Sequence, residues 1–271
     1  MVRMAPAFVA VAAVSFAVAA QAQKPAFEVA SVKPQRELPA PFSPDLMPRV
    51  KPGGVFSPTY ATVEDLLAFA YDLKPYRISG GPDWIRHDRF AINARAGGDV
   101  SADGMKLMVQ SLLEDRFNLR THVERRDMRF GALVLARPDG RPGPSLLPID
   151  ECSPAVVNEL RRKFPEKYPG PVSGGVAGSS SPGVTQLADM LTIGLGTPVV
   201  DATGLTGCFY YSFRSQFSLA RALLGARGPR EDPSLPALST ALEDELGLKL
   251  ESRRGPMDVL VIDSVQQPTE D

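Results

Sequence analysis

The chain has 271 residues, enough for one large domain or two small ones, and either can bury a core. With 44% hydrophobic and 23% charged residues it has the composition of a globular protein rather than a disordered or fibrous one. A formal net charge of -1 argues against nucleic acid or an anionic membrane as the main partner.

Met1–Met4 carry one cation, Arg3, and Ala5–Ala20 is nearly all small or apolar. Ala20-Gln21-Ala22 then places small residues at the two positions that a signal peptidase reads. Residues 1–22 are therefore predicted to be a secretory signal cleaved after Ala22, with a retained anchor as the alternative. The apolar run is too short and too rich in alanine for a membrane span. The mature chain is expected to be exported, periplasmic or secreted, with no transmembrane segment.

Phe27–Val32 alternates and predicts a short strand. Pro34 to Pro52 is dense in proline and reads as an extended loop. Thr62 is a helix N-cap before the apolar stripe Val63, Leu66, Leu67, Ala70 and Leu73, which Pro75 ends. Tyr76–Ser79 is a short strand, and Gly80-Gly81-Pro82 turns the chain. His87–Ala96 alternates as a half-buried strand, with Phe90, Ile92 and Ala94 inward. Asp103 then caps a helix with Met105, Met108, Val109, Leu112 and Leu113 on one face.

That helix leads into Leu113–Leu135, which has a counterpart at Leu242–Val265. Both open with Leu-Glu-Asp and restart the apolar pattern at Leu119 and Leu248. Asn118 in one and Gly247 in the other are residue types that tolerate the left-handed conformation closing a helix. Each copy is read as helix end, strand, arginine-rich turn (Arg125-Arg126, Arg253-Arg254) and second strand. The elements before the second copy repeat in order. Gly174-Gly175-Val176 matches Gly53-Gly54-Val55, Thr185 caps a helix with Leu187, Met190 and Leu191, and Pro198–Asp201 is a short strand. Phe209, Tyr211 and Phe213 share a strand face, and Ser234 or Asp232 caps the last helix, with Leu235, Leu238, Leu242 and Leu246 inward.

The expected fold is α+β: two duplicated βαββαβ(β) ferredoxin-like halves, with antiparallel sheets and helices on one face. The halves are residues 23–137 and 173–271. A Pro/Gly-rich linker at 138–172 holds one candidate helix, Ala155–Phe164. Gln216–Pro233 reads as an insertion with a helical stretch at Phe217–Leu224.

No motif carries recognisable chemistry. His87 and His122 lie in different predicted strands and have no zinc spacing, so no metal or cofactor is expected. The serines of Gly178–Gly183 lack a nucleophile-elbow context. Carboxylates are the remaining catalytic candidates: Asp189, Asp201 and Asp263 late in the chain, Glu64, Asp65 and Asp88 early. They would have to converge in a cleft. Asp201 precedes a Thr-Gly turn, where aspartate commonly bonds nearby amides. Glu114-Asp115 and Glu243-Asp244 end their helices against the dipole, which suggests ion pairs with the following arginines. No catalytic residue is assigned. Trp84, after Gly80-Gly81-Pro82-Asp83, is a candidate for stacking on a ligand, or else a plug on the sheet edge. Cys152 and Cys208 either pair, closing a loop worth roughly 4 kcal/mol in the chain-entropy model, or stay as two buried thiols.

Phe27-Glu28-Val29-Ala30-Ser31-Val32-Lys33-Pro34, Gly80–Trp84, Val199–Gly207 and Leu246–Glu251 together resemble the exported soil-associated proteins of acidobacterial type, built on a domain of unknown function. A related domain is also fused to membrane zinc peptidases of the antibiotic-sensor type. The resemblance implies an extracytoplasmic sensing or binding module, and it supplies no catalytic residues. The expected function is a non-enzymatic binding or sensing module for a peptide, envelope component or protein partner, acting through a sheet edge or the inter-repeat groove. The alternatives are an extracytoplasmic hydrolase using carboxylates of the second half, and a structural element of the cell envelope.

Overall fold

A computed structural model describes residues 24–36, 50–170, 175–178, 182–217 and 233–268. The signal sequence, most of the proline-rich loop, Ser179–Ser181, Asp232 and most of the 216–233 insertion lie outside the described residues. The fold is mixed α/β, and among the described residues the strands form three sheets. The chain divides into two compact units, residues 1–122 with 260–271 and residues 123–259. The divisions between these units fall inside two long strands.

In the first unit β1 (Val29–Gln35), β2 (Val50–Lys51), β3 (Val55–Phe56) and β5 (Arg89–Arg95) form an antiparallel sheet in the order β1-β5-β3-β2. Pro34 is tolerated in β1 because an edge strand has an outer side that makes no ladder bond. Helix α1 (Val63–Tyr71) starts with a full capping box: Thr62 Oγ1 accepts from the Asp65 amide while the Asp65 carboxylate accepts from the Thr62 amide. It ends at Asp72, before Pro75, in a left-handed cap. A short β4 (Ile78–Gly80) and one turn of helix, α2 (Trp84–His87), precede β5. Helix α3 (Ala102–Phe117) is capped by Ser101, not Asp103, which lies in its first turn. Val63, Leu66 and Leu67 of α1 and Met105, Val109 and Leu113 of α3 are buried in one core with Phe56, Phe90 and Ile92.

In the second unit β7 (Leu146–Ile149), β8 (Gly175–Gly178) and β10 (Cys208–Arg214) form a sheet with β10 central, both pairings antiparallel. Phe209, Tyr211 and Phe213 of β10 are buried as the alternation requires. Helix α4 (Pro154–Lys163) takes its cap from Ser153. β7 and α4 give the expected linker secondary structure of its own. Helix α5 (Thr185–Leu195) has Val184 at its cap position, so Thr185 is already helical. The last helix is shorter than its apolar pattern. α6 (Leu238–Ala241) follows Ala237, so Ser234 is not its cap residue, and a π-helical turn spans Leu242–Leu246.

The third sheet has the order β4-β11-β6-β9, with β6 (Arg120–Leu135), β9 (Val199–Asp201) and β11 (Leu248–Ser264). It is mixed rather than antiparallel. Ile78–Gly80 of β4 runs parallel to Leu260–Ile262, and Val199–Asp201 of β9 runs parallel to Gly131–Leu133. The two parallel pairings share a register, because Gly131 and Leu260 stand the same distance beyond Leu113 and Leu242. No turn interrupts β6 at Arg125-Arg126 or β11 at Arg253-Arg254. Charged residues do not break a strand when they find partners along it, and here Arg126 pairs with Glu124, Arg253 with Glu251 and Arg254 with Asp127.

Candidate functional site

The candidate carboxylates are engaged locally. Asp201 Oδ1 accepts from the Thr203 amide and hydroxyl, and Oδ2 accepts from the Val184 amide at the start of α5. It thus joins the end of β9 to the head of a helix. Gly183 has φ +66°, and a Cβ there would stand 2.7 Å from the Asp201 carboxylate, so the loop closes on that side chain. Asp189 is near Tyr211, whose phenol is pushed up in pKa by burial first and by the Asp189 charge second. Asp263 bonds His122, Oδ1 to Nδ1, at 2.8 Å, with both side chains half-exposed in the first unit. Glu64 pairs with Arg86 at 3.0 Å; burial raises its pKa and Arg86 opposes that. Asp65 completes the α1 cap, and Asp88 accepts from Gln267. Glu114 pairs with Lys24. Among the described residues no three His, Cys, Asp or Glu side chains cluster as a metal site would need.

Trp84 is half-buried at the start of α2, edge-on to Phe90 with ring centroids 6.4 Å apart, and packed against the first core. Cys152 and Cys208 form a disulfide with Cα atoms 5.2 Å apart. It ties the approach to α4 onto the first residue of β10.

Following that tie leads to a cleft of about 720 Å³ in the second unit. Its floor is one face of the β7–β10 pair. Leu147 lies opposite Tyr210, and Tyr210, Ser212 and Arg214 project together by the two-residue period of a strand. Glu166, Lys167 and Pro169, beyond α4, make a wall. Three contacts hold that wall on the floor: the Tyr210 hydroxyl donates to the Pro169 carbonyl, Tyr168 meets the Tyr210 ring edge-on at 5.2 Å, and the Arg161 guanidinium lies 5.6 Å from its centroid. Tyr210 is thereby buried on the side of β10 that alternation alone would leave wet.

Ser145 and Glu245 close a third side. The Ser145 amide donates to the Glu245 carbonyl, and the Ser212 amide donates to the Ser145 carbonyl. The Glu245 carboxylate reaches the Arg214 amide at 3.4 Å. This approach depends on two glycines. A Cβ on Gly143 would stand 2.4 Å from the Gly247 nitrogen, and one on Gly247 would stand 2.5 Å from the Gly143 nitrogen. The cleft therefore offers two anionic and two cationic side chains, two serine hydroxyls and apolar surface. It contains none of Asp189, Asp201 or Asp263. Its charged residues carry no sequence signal of their own, because Glu166-Lys167, Arg214 and Glu245 come from three separate segments and share no spacing.

Residues 64–265 match the sequence model of the family described as "Protein of unknown function (DUF3738)", so the chain belongs to that family. No curated protein and no solved structure matches it.

Proposed function

We propose that this DUF3738 protein is an exported, non-catalytic binding module that takes an extended peptide segment in the cleft of its second unit. The carrying observation is the composition of that cleft. An apolar and hydroxyl-bearing strand face, rimmed by Glu166, Lys167, Arg214 and Glu245, matches a peptide that presents both backbone polar groups and mixed charge. The apparent signal sequence at residues 1–22 would deliver the module outside the cytoplasm. The Cys152–Cys208 bridge suits that oxidising setting.

In this reading the two halves are a duplicated ferredoxin-like unit. The shared register of the β4–β11 and β9–β6 pairings supports it. So do the left-handed caps at Asn118 and Gly247, with φ +48° and +64°. The second half, extended by β7, α4 and the disulfide, carries the cleft.

The test is an array of eight-residue peptides probed with the mature chain from Gln23. Binding is expected to a subset of peptides and to be abolished by Ser212→Tyr, which fills the floor, with the far-ultraviolet circular dichroism unchanged. No binding to any peptide would overturn the reading. Shortened peptides after incubation would replace it with the hydrolase.

A further inference from the structure

We infer that the cleft selects peptides bearing an acidic side chain, which Arg214 reads, and that Glu245 is a built-in competitor occupying the same end of the cleft in the free protein. This rests on the peptide-binding reading and specifies its ligand.

The inference starts from the unequal lengths of β7 and β10. β7 covers β10 only as far as Tyr211 opposite Leu146, and Ser145 extends the pairing by one carbonyl to the Ser212 amide. Beyond that point the chain leaves β10, because Gly143 and Ser145 bond instead to the carbonyls of Leu246 and Glu245. Among the described residues, no strand lies opposite the Arg214 amide, next in line on that edge. A strand amide left this way needs an acceptor. Glu245 supplies one, with a carboxylate oxygen at 3.4 Å, near the outer limit for a hydrogen bond. A contact that long is readily displaced. Among the described residues, the Arg214 guanidinium makes no ion pair with Glu245 or any other acid, and its side chain is exposed at the cleft.

The turn that presents Glu245 is itself unusual. Leu242–Leu246 is π-helical, whereas the matching Leu113–Phe117 is ordinary α-helix. Single π turns widen a helix by one residue and recur at binding sites. Here the turn aims the carboxylate at the open end of β10. A carboxylate already resting on the Arg214 amide shows which chemical group that end accepts. An aspartate or glutamate of an extended peptide would take the amide and, in addition, pair with the guanidinium. It would displace Glu245 toward solvent, and Lys167 on the opposite wall would add attraction.

The experiment uses the mature chain and one peptide that binds it, prepared with a glutamate, with glutamine in its place, and with an amidated C-terminus. Glu245→Gln keeps the side-chain shape and its backbone bond to Ser145 while weakening the competitor. It is expected to tighten the glutamate peptide, whereas Arg214→Gln is expected to weaken it roughly tenfold or more. Replacing the peptide's glutamate by glutamine should cost a similar factor, and should cost little in the Arg214→Gln background. Sensitivity to C-terminal amidation instead would overturn the choice of a side-chain acid. Peptides that bind in a Ser212-dependent way, indifferent to Glu245, Arg214 and the acid, would overturn this inference and leave the peptide-binding reading standing. Binding of no peptide at all, by the wild-type chain or by Glu245→Gln, would remove both.

Discussion

The two helix-to-strand junctions begin alike and end differently. Leu113–Leu119 and Leu242–Leu248 share Leu-Glu-Asp, a left-handed residue and a leucine that opens a long strand. In the first, Asn118 closes an α-helix and its side-chain amide donates to Gln266 at 2.9 Å. In the second, Gly247 closes a π-helical turn and has Gly143 against its backbone. The position before the last helical residue differs as well. Arg116 donates to the Ala30 carbonyl at 2.8 Å, while Glu245 accepts from the Arg214 amide. The same local frame thus serves as a clamp on β1 in one unit and as one side of a cleft in the other. What differs is the neighbouring chain, which approaches closely only where both partners lack a side chain.

The disulfide should show the largest asymmetry. Replacing Cys152 and Cys208 by serine removes a cross-link of 56 residues' separation, worth roughly 4 kcal/mol in the chain-entropy model. Hydrogen exchange is expected to accelerate in β7 and β10 more than in β1 and β5; equal acceleration would mean that the bridge does not act specifically on the cleft-bearing sheet. Next comes Gly247→Asn, which copies the first junction into the second. It tolerates the positive φ yet forces a Cβ onto Gly143, and should cost about 3 kcal/mol in urea unfolding. A neutral result would break the claim that close approach, rather than φ, demands glycine there. The reciprocal Asn118→Gly should cost only about 1 kcal/mol, since it loses one exposed hydrogen bond and gains backbone freedom.

The smallest effect is the pH dependence that Glu64 contributes in the first unit. Burial raises the Glu64 pKa, so the folded form holds that proton to higher pH than the unfolded chain. Its contribution is therefore complete below the ordinary carboxylate pKa and is lost as pH rises through the higher folded value. Glu64→Gln should flatten that decline in a thermal-melt series. An unchanged slope would assign the dependence elsewhere.

Local chemistry was legible in the sequence. The Thr62 cap, the left-handed Asn118 and Gly247, the buried stripes of α1 and α3 and the inward Phe209, Tyr211 and Phe213 all depend on residues within one or two turns of each other. Asp201 was readable for the same reason, although the capping bond it lends to Val184 was not, since that partner lies seventeen residues away. The errors share a cause too. Arginine pairs resemble a turn until cross-strand partners such as Asp127 are known, and Asp103 and Thr185 resemble caps until the true first turn is seen.

By itself the sequence determined where helices begin, which faces are apolar and where the backbone needs a left-handed residue, because each is settled by short-range sterics and solvation. Only the tertiary structure decided that β4 and β9 pair in parallel with β11 and β6, that both long strands run unbroken, and that Glu166, Lys167, Arg214 and Glu245 line one cleft. Backbone amides and carbonyls are the same in every residue but proline, so the sequence does not label which strands will share a ladder. A cleft assembled from four separate elements exists only once those ladders have formed.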